Sequence, residues 1–371
     1  MNPASSRFAI ASQASGGPVC RRFFIGIETE VLMRNITAAF FNNGASFFKG
    51  DVIDYVYARG RRNQIAAMSD LYPVVISNEN FKEHADKLAR VEAIFSSWGM
   101  PELTSAELDR LPALRAVFYA AGSVKGFAKA LLQRRVTVCS SWTANAVSVA
   151  EFCLGQVLLA CKGYFQNTCD CRTPERNRQD VAFHGRGVYG EKIAIIGAGQ
   201  IGRRLIELLR PFRLKILVVD PYLSETEADD LHVQKVTLEE AFREAYVVSN
   251  HLPDLPTLQK VLDGKLFDSM RPGATFINTG RGAQVNESEL IAVLRRRPDL
   301  MALLDVTDPE PTPAGSAFYE LPNVQLSSHL AGAHGDEVVR MADTMIEEFR
   351  RWQEGEPLRY AVSLDMLDRM A

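Results

Sequence analysis

With 371 residues, 42 basic and 45 acidic side chains spread along the chain and a net charge of −3, the sequence has room for two domains and shows no basic face for nucleic acid or a membrane surface. Composition is that of an ordinary globular chain, long enough to bury a substantial core. The six cysteines, at 20, 139, 153, 161, 169 and 171, include no C-x-x-C pair and lie largely in apolar segments. They read as reduced, buried thiols of a cytoplasmic protein rather than as disulfides, and no metal set is expected.

Residues 1–32 are poor in acids up to Glu28 and carry Arg21 and Arg22 before FFIGI. The apolar run stops at Glu28 and Glu30, so a flexible extension is expected, with Met33 as a possible true start. No apolar run is expected to reach the roughly 18 residues of a membrane span. From Met33 onward, TAAFF (37–41), PVVIS (73–77), VEAIF (91–95), LRAVFYA (114–120) and VTVCS (136–140) read as strands separated by helical spacing. Strands alternating with helices predict right-handed crossovers and a parallel sheet. Long helices are predicted from about 144 to 166 and over 335–353, and the polar stretch 169–187 reads as a domain junction.

The signal sharpens at EKIAIIGAGQIGRRLIELLR. A strand over 193–196 leads into Gly197, Gly199 and Gly202 in G-x-G-x-x-G spacing, and a helix is predicted over 201–209. The three glycines serve the tight turn, the approach of backbone to a pyrophosphate, and close packing of helix on strand. The helix N-terminus offers free N–H groups and a positive dipole end to phosphates. Asp220 ends the next strand, LKILVVD (214–220), 18 residues beyond Gly202, where a carboxylate binds a ribose 2′-hydroxyl and repels a 2′-phosphate. NAD is therefore expected in preference to NADP. The competing reading is a glycine-rich turn with a capping aspartate.

Further strands are predicted at 245–250, 273–278, 301–306 and 323–328. In a doubly wound sheet, ligands bind beyond the carboxyl ends of the strands. Arg281, Glu310 and His329 each follow one such end. Arg281 lies between two glycines after the buried run ATFIN, and a cation leaving water there must meet an anion.

From about Ile94 to about Gly335 the residues resemble the D-isomer-specific 2-hydroxyacid dehydrogenases. GAGQIG with Asp220-Pro221 is similar to that family's cofactor fingerprint, INTGRGAQVNESEL to its arginine motif, LLDVTDPEP to its glutamate motif and SSHLAG to its histidine motif. SVAEFCLG and Asn145 match a family helix. The resemblance implies an α/β protein of two doubly wound parallel-sheet domains: a Rossmann NAD-binding domain (146–329) and a flavodoxin-like substrate domain (33–145 plus 330–371). It implies hydride transfer between nicotinamide and a D-2-hydroxy or 2-oxo acid, with His329 as acid/base, Glu310 fixing its tautomer and Arg281 binding the substrate's carboxylate and carbonyl. The implied cofactor set is Gly197, Gly199, Gln200, Ile201, Gly202, Asp220, Pro221, Leu252, Pro253, Thr279, Gly280, Asp305 and Gly332. Trp98, Gly122, Ser123 and Val124 are implied to face substrate, and a homodimer is the implied assembly.

Other readings compete. Any of six histidines, at 84, 184, 232, 251, 329 and 334, is by composition an ordinary residue; motif position singles out His329. Glu310 reads alternatively as a solvated loop acid, Arg281 as the partner of Glu287, and Trp98 as interdomain packing. Lys125 stands near where the family carries an acid, Leu255 and Leu258 where threonines are common, and Ser328 where a proline is usual. A formate dehydrogenase would have glutamine in place of Glu310. An NAD-sensing, corepressor-like binding protein is the reading from another class. A phosphoglycerate dehydrogenase with a regulatory tail is disfavoured, because the sequence has no room for that further domain.

Overall fold

The structure, a computed structural model, describes residues 36–367; the expected extension at 1–32 lies outside them. Two parallel sheets organise the chain. Strands β1 (Thr37–Phe40), β2 (Asp70–Leu71), β3 (Ala93–Ser96), β4 (Ala116–Tyr119) and β5 (Thr137–Ser140) pair in the order 2-1-3-4-5, the flavodoxin-like arrangement. β3 and β4 are buried along their whole length, which is why they read as unbroken apolar runs rather than alternating ones.

The second sheet holds β6 (Lys192–Ile196), β7 (Lys215–Val219), β8 (Gln234–Lys235), β9 (Val247–Asn250), β10 (Thr275–Asn278), β11 (Met301–Leu304) and β12 (Val324–Leu326). Its order is 12-11-10-9-6-7-8, all parallel, so the chain reverses direction across the sheet between β6 and β9. This is the Rossmann pattern, with its ligand crevice at that switch point.

Helix 142–162 buries Val149, Ala150, Cys153, Val157 and Ala160 in the core of the second sheet. Helix 339–354 instead buries Met341, Met345 and Phe349 in the core of the first. The Phe349 ring packs edge-on to Phe95 and Phe118, with centroids 5.0 and 5.4 Å away. Truncating so buried an aromatic ring costs about 3–5 kcal/mol.

Four expectations are corrected. PVVIS is not a strand: Pro73 lacks the N–H a ladder needs, and only Ile76 bridges Phe41, while the short strand β2 forms just before it. The long helix runs over 142–162 and stops at Gly163, whose φ of +72° is left-handed; a Cβ there would sit 2.4 Å from the Gly185 nitrogen. A separate helix follows over 164–170. The predicted helix at 335–353 begins as a 3-10 turn at 335–338 before the α-helix at 339–354. Finally, helix 142–162 is long and apolar enough to cross a membrane by length and composition alone, contrary to expectation. Its apolar side is the buried side just described, as in a core helix. The five described cysteines are free.

Candidate active site

Because the strands of the second sheet are parallel, their carboxyl ends share one rim. Gly197 follows β6, His251 to Pro253 follow β9, Thr279 to Arg281 follow β10, Asp305 and Glu310 follow β11, and His329 follows β12.

Two of the three loop glycines make the turn and the close packing expected of them. Gly197 has φ +96°, and a Cβ on it would lie 2.8 Å from the His251 carbonyl oxygen. A Cβ on Gly202 would lie 2.1 Å from the Gly197 carbonyl oxygen, so only glycine lets the helix approach the strand. Gly199 faces open space, and the helix Gln200–Leu209 begins with no side-chain cap, leaving first-turn N–H groups for an anion. Asp220 Oδ2 accepts from the Ala198 N–H at 2.7 Å, and Oδ1 from Tyr222 N–H at 2.8 Å. The carboxylate thus braces the loop and keeps lone pairs for a hydroxyl. Pro221 beside it is exposed. Arg203 donates to the Ala198 carbonyl at 3.0 Å and pairs with Glu227 at 2.8 Å. These residues fit a dinucleotide.

His329 Nδ1 lies 2.8 Å from Glu310 Oε1, both side chains just under half exposed. The histidine adopts φ +57°, uncommon for a residue with a side chain, and its surroundings hold it there. Its N–H donates to the Asp305 carbonyl at 2.9 Å. The buried Asp305 carboxylate accepts from Ser327 Oγ at 2.6 Å, Leu330 N–H at 2.9 Å and Ala331 N–H at 3.0 Å. Asp305, expected against the cofactor, therefore spends its carboxylate on the loop that carries His329.

Arg281 has no carboxylate partner among the described residues; its Nη1 donates only to the neighbouring Gly280 carbonyl at 2.8 Å. Glu287 accepts from the Asp308 N–H instead, and burial raises its pKa. The pairing of Arg281 with Glu287 is thus not found. Thr279 turns inward: its Oγ1 is 3.2 Å from His251 Nδ1 and 3.4 Å from Cys153 Sγ. Ser249 Oγ meets the other ring nitrogen at 2.9 Å. Burial pushes the His251 pKa down to about 4 and the Cys153 thiol up to about 12, so this chain of groups is neutral near pH 7.

The first sheet contributes a second rim. After β4, the Ser140 hydroxyl holds the carbonyls of Ala121 and Gly122, at 2.9 and 2.5 Å. The N–H groups of Gly122, Ser123 and Val124 have no acceptor among the described residues, which suits a carboxylate. Val124's side chain is in the core and Ser123 is exposed. Lys125 Nζ donates to the carbonyl of Asp254, joining this loop to the one after β9. Trp98, half-buried after β3, packs edge-on to Phe47 at 5.5 Å. Asn145 Oδ1 accepts from the Ala333 N–H at 3.1 Å, beside Gly332. A cavity of about 330 Å³ borders the His329 loop, lined by Ser148, Glu151, Phe152, Leu330 to Gly332, His334 and Glu337.

Sequence reading missed Gln284, Asn250 and Asn278, which knit the loops after β9 and β10 together. A buried glutamine inside the arginine motif was the available signal.

Residues 154–331, just under half of the chain, match the NAD-binding domain of the D-isomer specific 2-hydroxyacid dehydrogenases, and this segment is a domain of that family. The second sheet is thus an NAD-binding Rossmann fold. The chain is 27% identical over 238 residues to the D-3-phosphoglycerate dehydrogenase of Methanocaldococcus jannaschii, covering 64% of this chain and 45% of that one. Curated relatives are matched over about half their length. Among solved structures, the fold is similar to Rhodotorula graminis D-mandelate dehydrogenase, with TM-score 0.73 and 19% identity over 89% of this chain and 98% of that one. It is also similar to a phosphoglycerate oxidoreductase from Rhizobium etli, with TM-score 0.70 and 24% identity over 88% and 98%.

Proposed function

We propose that the protein is an NAD-dependent oxidoreductase interconverting a D-2-hydroxy acid and its 2-oxo acid. The observation that carries this reading is the His329–Glu310 pair at 2.8 Å on the same sheet rim as Arg281, which has no carboxylate partner among the described residues. Bound NAD supplies hydride chemistry at the substrate's C2. Gly197, Gly199, Gln200, Ile201 and Gly202 would hold its pyrophosphate, and Asp220 its ribose. Leu252, Pro253, Gly280 and Gly332 would border its nicotinamide end.

His329 Nε2 takes the hydroxyl proton in oxidation and returns it to the carbonyl oxygen in reduction. Glu310, bonded to Nδ1, sets the tautomer that leaves Nε2 as base and stabilises the imidazolium. Arg281 supplies a fixed two-pronged cation for the substrate carboxylate and for the oxygen that gains charge in reduction. The N–H groups of Gly122, Ser123 and Val124 complete carboxylate binding from the opposite rim, with Trp98 beside them as a size filter. Asp220 disfavours a 2′-phosphate, and Arg203 is engaged by Glu227, which supports NAD over NADP.

The test is stopped-flow single turnover with NADH and a 2-oxo acid whose reduced product is chiral at C2, such as hydroxypyruvate. Oxidation of NADH matched by formation of the D-2-hydroxy acid supports the reading; formation of the L isomer contradicts it.

A further inference from the structure

We propose that Gln284 is a positioning residue that couples the loop bordering the cofactor to the substrate-binding arginine, so that one side chain sets both halves of the reaction geometry. The inference rests on the substrate role assigned to Arg281 above.

Gln284 is 2% exposed and sits in the 3-10 turn Gly282–Gln284 that follows Arg281. Its amide nitrogen donates to the Leu252 carbonyl at 2.9 Å and the Pro253 carbonyl at 2.8 Å. Its amide oxygen accepts from Asn250 Nδ2 at 2.7 Å and from the Arg281 backbone N–H at 3.2 Å. A primary amide has two donor hydrogens and two acceptor lone pairs, and here all four are used. The donor side holds the loop after β9, and the acceptor side holds the residue after β10.

Asn250 and Asn278 extend the clamp. Asn250 Nδ2 also donates to Asn278 Oδ1 at 2.9 Å, and Asn278 in turn accepts from Gly280 N–H at 3.1 Å and donates to the Arg281 carbonyl at 3.3 Å. The backbone on both sides of Arg281 is therefore pinned, while its guanidinium donates only to the Gly280 carbonyl and meets no carboxylate among the described residues. Such satisfied buried networks rigidify a site, and losing one member strands the others. A displaced Arg281 would meet substrate badly, and a displaced 252–253 loop would border the nicotinamide badly.

The experiment compares wild type with Gln284→Met and with the double variant Asn250→Leu/Gln284→Met. Replacing both amides by apolar groups avoids the stranded Asn250 that could unfold the single variant. NADH affinity is read by fluorescence, and affinity for oxamate, a stable 2-oxo acid analogue, is read on the enzyme–NADH complex; thermal midpoints are recorded beside them. The proposal expects both affinities to fall by about tenfold in each variant, with the double variant melting close to wild type. A folded double variant that holds both ligands within twofold of wild type, or loses affinity for only one, overturns the coupling. A wild-type complex that ignores oxamate overturns the substrate reading of Arg281 instead, and the NADH measurement then decides the hold on loop 252–253 alone.

Discussion

Glu310 Oε1 lies 2.8 Å from His329 Nδ1, which leaves Nε2 as the ring nitrogen with no partner among the described residues. Removing the acid/base should therefore lower kcat by about 10²–10⁴-fold in His329→Ala. NADH should still bind, because the role proposed for His329 is toward the substrate and not the cofactor. Glu310→Gln keeps a hydrogen bond but loses the charge that stabilises the imidazolium, so kcat should fall with little change in NADH affinity. Steady-state kinetics beside NADH titration checks both; a variant of His329 with full turnover would remove it from the mechanism.

Arg281 carries no ion pair among the described residues, so its fork is available for a carboxylate. Lysine keeps the charge but not the two-pronged geometry. Arg281→Lys should cut kcat/KM by roughly 10- to 100-fold, the scale of one charge-assisted hydrogen bond. Unchanged KM and kcat would assign the arginine elsewhere.

Asp220 accepts two backbone N–H groups and retains further lone pairs, which the proposed reading gives to the ribose. Asp220→Ala should weaken NADH binding and relax the rejection of NADPH, read as the ratio of their dissociation constants. An unaltered ratio would exclude the ribose contact.

His251 gives a prediction about stability. Its folded pKa is pushed down to about 4 by burial, while the unfolded chain takes the proton near its ordinary 6.5. Between those values the unfolded state binds more protons, so stability rises with pH across the window and is lost as pH falls through it. The loss should reach about 3 kcal/mol by pH 4. Urea unfolding at pH 7 and pH 4.5 should show a steeper decline for wild type than for His251→Gln. Equal declines would show that other groups carry the acid sensitivity.

Much of this was legible before any coordinates. The apolar runs of β3, β4 and β10 could be read because strands buried on both faces are continuous in hydrophobicity. Gly197 and Gly202 could be read because only glycine tolerates the contacts found there. Less was legible where two-residue strands give no periodic signal, as at β2 and β8. The hold of the Asp305 carboxylate on the loop that carries His329 was not legible, because motif position places a carboxylate near the site without saying which lone pairs are already taken. Gln284 was missed for a related reason: its partners Leu252 and Asn250 lie more than 30 residues away and are joined to it only by folding. The reach of Lys125 to Asp254 likewise depends on how the loops after β4 and β9 come together.

The most direct measurement is NADH consumption by purified protein with glyoxylate, hydroxypyruvate, pyruvate, phenylpyruvate and sugar-derived 2-oxo acids, each repeated with NADPH and with His329→Ala. The account predicts turnover with at least one of them, faster with NADH than with NADPH, and lost in the variant. Silence across the whole panel from protein that binds NADH would contradict it.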